Sequence, residues 1–281
     1  MTRTARPAAR RAPGVRVLAV AGAAVVLGAG LSACASPGDD TDPEHRTFAL
    51  SGRTLTVDSD DSALDVVAAD GRKAGTVGVT RWFDGSVVLG GDPEVTWAMK
   101  GDRLVLRVHC SGMVADCAAR HRIEVPRGVA VRVEDGDGSV RADGFRAALD
   151  IRTGDGSVRV SGSSGPVRVR TGDGSVRVTD TSGPVRLHTG DGSVHADVSS
   201  RTVSARTSDG SVSLELGAVP DLVEARTGDG PVTIAVPRET YRVTTRTGDG
   251  TVEVSVPRSD TSAHVVSART GDGKVTVRAA N

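Results

Sequence analysis

Aromatic side chains are nearly absent from this chain of 281 residues, where three Phe, two Trp and one Tyr make up 2%. Without large side chains a core must come from Val, Ala, Leu and Ile, which points to a thin, repetitive interior rather than a deep one. Lysine is also scarce, with three against 32 arginines. The formal net charge is zero, so there is no electrostatic reason to expect nucleic acid as a partner. No Gly-x-Ser-x-Gly elbow is present, and no carboxylate pair stands out from a repeated pattern. The histidines (His45, His109, His121, His188, His195 and His264) are scattered. The chain is therefore expected not to be an enzyme.

No apolar run reaches the roughly 20 residues of a spanning helix. The first 33 residues instead have the parts of an export signal. Arg3, Arg6, Arg10, Arg11 and Arg16 form a basic start without an acid, and "VLAVAGAAVVLGAG" follows from Val17 to Gly30. That length suits a signal peptide. It ends in Leu31-Ser32-Ala33-Cys34, which resembles the bacterial lipobox. The resemblance implies cleavage before Cys34 and a diacylglyceryl group on it. An ordinary signal peptide or an uncleaved anchor is the alternative. Residues 1–33 are thus read as a lipoprotein signal peptide, and 34–46, polar and proline-containing, as the lipidated cysteine and a flexible tether. The expected place is the outer face of a bacterial cell membrane. Removal of five arginines would leave the mature chain acidic, at −5.

Two cysteines remain, Cys110 and Cys117. Outside the cytoplasm such a pair is expected to form a disulfide. Zinc held by His109, Cys110, Cys117 and His121 is a second reading, but the spacing matches no common zinc signature.

What the chain has in abundance is glycine, 35 residues of it. "RTGDGSVRV" at Arg152 to Val160 recurs letter for letter at Arg170 to Val178. The turn is Gly-Asp-Gly, with serine in the first place at Asp209. Its central aspartates are Asp137, Asp155, Asp173, Asp191, Asp209, Asp229, Asp249 and Asp272, spaced by 18, 18, 18, 18, 20, 20 and 23 residues. Such a period marks a repeat architecture. Six residues before each Asp stands Val or Leu, as in Val131, Leu149 and Val167. Three after it always stands Val, as in Val140, Val158 and Val176. Apolar columns of period two run on both sides of the turn, so each copy holds two strands. Glycine is expected to supply positive φ at the turn, with Asp tolerating it.

Asp-Gly between alternating strands also fits hairpins in an antiparallel meander. A meander would leave a broad valine face uncovered, because the region has one Phe, one Tyr and no helical pattern. In a parallel β-solenoid the two strands of a coil cover each other and like residues stack on like. The expected fold is therefore all-β, a parallel solenoid with two strands per coil of about 18–20 residues. Residues 129–281 would form it, eight coils and about 38 Å long at ~4.8 Å per coil. Residues 47–128 would form an irregular β capping segment. Within them, "TLTVDSDDSALDVV" from Thr54 to Val67 is a degraded copy of the pattern. Trp82, Phe83 and Trp97 are read as core of the cap, with an exposed sugar platform as the alternative.

The lipobox, the irregular β segment, the Val-Pro steps (Val125-Pro126, Val236-Pro237 and Val256-Pro257) and the tandem turns resemble a bacterial adhesin-type β-strand-repeat family. That is a domain family of unknown function, common in surface and membrane-anchored proteins. The resemblance covers residues 47–281. It implies a parallel solenoid and a surface location, and it offers no catalytic residues to carry over.

The repeat places charge in rows. Asp155, Asp173, Asp191 and Asp209 line one edge, and Arg152, Arg170, Arg206 and Arg226 stand three residues before the central Asp of each copy. Neighbouring carboxylates ~4.8 Å apart repel by about 0.9 kcal/mol in water. Turn amides and the arginine row would offset this, or calcium would, as in nonapeptide β-rolls. The chain lacks the leading Gly-Gly of those rolls. A threonine row (Thr153, Thr171, Thr189 and on) alternates inward, which argues against ice binding. The expected function is a lipid-anchored, non-catalytic adhesion, binding or structural module. Its expected partners are the membrane, through the anchor, and a cell-envelope polysaccharide or surface protein. A calcium-binding β-roll and a glycan-processing β-helix are the alternatives.

Overall fold

A computed structural model describes residues 42–280. The expected signal peptide, Cys34 and most of the expected tether lie outside the described residues. All 23 described elements are β-strands.

The first seven are β1 (Glu44–Ala49), β2 (Thr54–Ser59), β3 (Ala63–Ala69), β4 (Thr76–Gly90), β5 (Glu94–Lys100), β6 (Arg103–His109) and β7 (Gly112–Pro126). Six coils of paired strands follow: β8 (Ala130–Asp135) with β9 (Val140–Asp143), β10 (Leu149–Thr153) with β11 (Val158–Ser161), β12 (Val167–Arg170) with β13 (Val176–Thr181), β14 (Val185–His188) with β15 (Val194–Val198), β16 (Thr202–Arg206) with β17 (Val212–Leu216), and β18 (Leu222–Arg226) with β19 (Val232–Val236). The last two coils are β20 (Arg242–Arg246) with β21 (Val252–Val254) and β22 (Val265–Arg269) with β23 (Val275–Ala279).

Each coil gives one strand to each of two sheets. Sheet A runs β1-β4-β7-β3-β9-β11-β13-β15-β17-β19-β23-β21, and sheet B runs β20-β22-β18-β16-β14-β12-β10-β8-β2-β6-β5. From β6 and β7 to the far end all pairings are parallel, as the solenoid requires. Like residues stack on like: Val140 on Val158, Val158 on Val176, Val167 on Val185. The inward valines of these coils are 0–2% exposed, and fully burying each contributes roughly 1.5–3 kcal/mol.

The glycines of the turn work differently from expectation. None of the turn glycines has positive φ; that conformation falls at Gly144, Gly162 and Asp180, the corresponding position in three successive coils. The turn glycines are required instead by stacking. A Cβ on Gly156 would fall on the Gly138 carbonyl oxygen, and one on Gly174 on that of Gly156. The first glycine of each turn donates to its counterpart in the previous coil, Gly172 N–H to Gly154 O at 2.5 Å and Gly190 N–H to Gly172 O at 2.5 Å. At the second glycine only a bare backbone lets the coils approach this closely, whereas the first place also admits Ser208, whose N–H reaches Gly190 O at 2.6 Å.

Ten coils stack, two more than the eight turns suggest, because the segment before residue 129 supplies two. The degraded copy is a true coil: Leu55 and Val57 pair with Val131 and Val133, and Leu64 and Val66 with Val140 and Ala142. β6 and β7 form the other. The antiparallel β1, β4 and β5 close that end. β1 begins at Glu44, inside the stretch expected to be tether.

Coil order departs from chain order at both ends. β2/β3 lies between β6/β7 and β8/β9, and β22/β23 lies between β18/β19 and β20/β21. The eighth turn is thus inside and the seventh is outermost. Side chains explain the choice. Val266, Ala268, Val275 and Val277 are 0% exposed, whereas the seventh copy puts Thr245 in an inward column and leaves Val252 46% exposed. The Val-Pro steps mark these places. Val125-Pro126 ends β7, Val236-Pro237 follows β19 and Val256-Pro257 follows β21. The first two precede connections that skip a coil and the third precedes the return into the skipped slot, and proline, lacking an N–H, stops the strand there.

Candidate binding surface

The interior offers little chemistry. Its polar members are chiefly the threonines of the turn, and each brackets two coils. Thr171 Oγ1 donates toward Gly154 O (3.0 Å) and Gly156 O (3.1 Å), and Thr189 toward Gly172 O (3.0 Å) and Gly174 O (2.9 Å). Thr247 reaches Gly271 O and Gly273 O, as the exchanged coil order demands.

Two buried ionisable groups break this pattern. Asp135 takes the threonine's place in the coil of β8 and β9 and is 9% exposed. Desolvation pushes its carboxyl up to about 7; the Ser59 hydroxyl opposes the shift, and Asp61, Asp137 and Asp60 add to it. His121 is fully buried in β7, 6.5 Å from the Trp97 ring. Burial, and then the charge of Arg81, lowers its pKa to about 4.

Trp97 is 4% exposed, with the Arg46 and Arg81 guanidinium carbons 4.6 and 4.8 Å from its ring centroid. Arg120 stacks on Trp82 at 4.2 Å. Trp97 is therefore cap core rather than a sugar platform. Cys110 and Cys117 are joined by a disulfide with Cα atoms 6.5 Å apart, which leaves no thiolates for the zinc reading. Among the described residues, no three His, Cys, Asp or Glu side chains converge to hold a metal ion.

The outer faces carry the charge. Asp155, Asp173, Asp191 and Asp209 stand exposed along the corner between the sheets. Arg152, Arg170, Arg206 and Arg226 lie in one column of sheet B, with His188 between Arg170 and Arg206. The two rows do not pair: among the described residues no ion pair joins a turn aspartate to an arginine. The first of the row leans on backbone instead. Asp137 Oδ1 accepts from the Asp155 amide at 3.4 Å, and solvent screens the rest.

Three of these four arginines lie near a different set of acids, two residues before the arginine column. Arg152 lies 3.6 Å from Asp150, and Arg206 and Arg226 each lie 3.8 Å from Glu224. That neighbouring column (Arg132, Asp150, Arg168, Arg186, Ser204 and Glu224) was not singled out from sequence. Its signal was "VRVR" at Val167 to Arg170, where both outward positions of one strand are arginine. Arg168, Arg170, Arg186, His188 and Arg206 border a shallow groove of about 290 Å³.

No curated protein matches the chain. Solved structures do. A candidate adhesin from Bacteroides fragilis aligns over 85% of this chain and 98% of its own, at 11% identity and a TM-score of 0.48. A candidate cell adhesion protein from Clostridium sporogenes aligns over 85% and 100%, at 11% identity and a TM-score of 0.28. A candidate adhesin from Parabacteroides distasonis aligns over 85% and 98%, at 11% identity and a TM-score of 0.37. The model described as Toastrack DUF4097 matches residues 122–281, more than half of the chain. With its tandem turns and two facing parallel sheets, the chain belongs to the Toastrack DUF4097 family.

Proposed function

We propose that the protein is a lipid-anchored, non-catalytic binding module of the bacterial cell surface. One observation carries the reading: the outward chemistry recurs coil after coil, with arginine stacked on arginine in register. A catalytic centre concentrates unlike groups at one point, whereas a repeated face matches a ligand that itself repeats. The basic start, the apolar run and Leu31-Ser32-Ala33-Cys34 support export and lipidation at Cys34. The partner class is a cell-envelope polymer.

Two measurements test this. Palmitate labelling of the expressed chain should be lost in Cys34→Ala, which should also leave the membrane fraction. The mature chain should co-sediment with isolated cell envelopes without releasing soluble fragments from them. No sedimentation with any envelope fraction, or steady release of sugars, would reject the binding role.

A further inference from the structure

The outer face of sheet B is balanced at both ends and unbalanced in the middle. Toward β6, Arg103 meets Asp58 at 2.7 Å and Glu134 at 2.9 Å, and Arg152 has Asp150. Toward β18, Glu224 serves Arg206 and Arg226. On β12 and β14 the acid is missing. Arg168 stacks on Arg186 and Arg170 on His188, and among the described residues no ion pair reaches any of the four. Like charges directly opposite on neighbouring strands are destabilising, so an anion from outside would complete this surface.

Two grooves meet at Arg168 and Arg186. One is the basic groove of about 290 Å³, which Arg170, His188 and Arg206 complete. The other, of about 340 Å³, is a shelf of Ala130, Ala148, Pro166 and Pro184 with Arg132 at its rim and one acid, Asp150, in register between Arg132 and Arg168. Cations spaced ~4.8 Å along the stack thus run beside a smooth C–H surface. Guanidinium groups grip carboxylate and phosphate oxygens through paired N–H donors. The Pro and Ala edge suits the C–H face of a sugar ring. Neither groove has a Phe, Tyr or Trp on which a base could stack, which disfavours single-stranded nucleic acid.

We infer that sheet B binds an extended anionic polysaccharide along the solenoid axis, its carboxylates or phosphodiesters on Arg168, Arg170, Arg186, His188 and Arg206, and its sugar faces on the Pro166/Pro184 shelf. The inference rests on the reading of the solenoid as an envelope-binding module and names the class of polymer.

The test is titration of the full chain, in detergent, with polygalacturonate, a phosphodiester-linked phosphomannan, neutral dextran and DNA oligonucleotides. One or both anionic polymers should bind, more weakly as salt rises, and which of them binds separates carboxylate from phosphodiester. Arg168→Gln/Arg186→Gln should lower affinity about tenfold or more, whereas Arg141→Gln/Arg159→Gln on sheet A should change it by less than about twofold. Thermal melts confirm that both variants fold. Binding of neither anionic polymer, equal losses from the two faces, dextran binding as tightly, or tighter DNA binding would each overturn the inference. Cell envelopes separate it from the reading beneath it. If Arg168→Gln/Arg186→Gln still sediments like wild type, the sheet B site fails and the module stands. If the wild type never sediments, both fail.

Discussion

Asp135 stacks in register on Ser59 one coil away, and neither side chain completes a hydrogen bond of full geometry. Every later coil has a threonine where Asp135 stands, so this coil gives up a bracket and buries an acid.

That exchange makes stability depend on pH. The folded-state pKa of Asp135, about 7, exceeds the ordinary aspartate value of 3.8. Its contribution is therefore full below about pH 4 and is lost as pH rises toward 7. Asp135→Thr should remove this slope and raise the free energy of urea unfolding at pH 8 by roughly 1–2 kcal/mol. An unchanged pH profile would show that Asp135 ionises freely in the folded protein.

His121 works in the opposite direction. Its folded pKa of about 4 lies below the ordinary 6.5. The unfolded chain gains the proton first as pH falls, so stability is full above pH 6.5 and declines toward pH 4. In wild type the two slopes oppose each other over one window. His121→Leu should uncover the Asp135 slope, leaving a protein more stable at pH 4.5 than at pH 7.5. A melt series across that range reads the sign directly.

The threonine brackets differ in weight along the stack. Thr189 is 0% exposed and holds two carbonyls. Thr189→Val should cost about 1–2 kcal/mol in chemical denaturation. Thr247 makes the same contacts in the outermost coil, half-buried, and Thr247→Val should cost about 0.5 kcal/mol or less. Equal losses would mean that the end coil is as tightly held as the middle.

The coil order can be read by cross-linking. Glu224 pairs with Ser267, and Ser267 with Thr244. Cysteines at 224 and 267 should form a disulfide on mild oxidation. Cysteines at 224 and 244 should stay reduced, about 9.6 Å apart across two strand spacings. The reverse pattern would restore a simple sequential stack.

The solenoid was legible because its columns are strict: Val140, Val158 and Val176 recur at the same offset from each turn. The sheet B arginine column was legible for the same reason. The reason for glycine was not, because Gly-Asp-Gly reads alike whether φ or close stacking demands it. Nor was the exchange of the last two coils, since their turns are equivalent in sequence. Thr245 in an apolar column, the spacing of 23 and the Val-Pro steps were its traces. Pairing of the aspartate row with arginine was a fair expectation from alternation, but the corner holds the carboxylates apart from the sheet face. Asp135 and His121 depend on depth, which a period-two pattern does not measure.

The exchanged end coils set an order of assembly. As the chain is delivered from its N-terminus, β18 and β19 are finished before any strand exists to cover them. The next strands in the chain, β20 and β21, have β22 and β23 as their only strand partners among the described residues. Only when residues 265–279 arrive can the last coil slide into the open slot, paired on both sides at once. The solenoid is closed by an insertion rather than by an addition, so its free edge is fixed only after the final strand is in place.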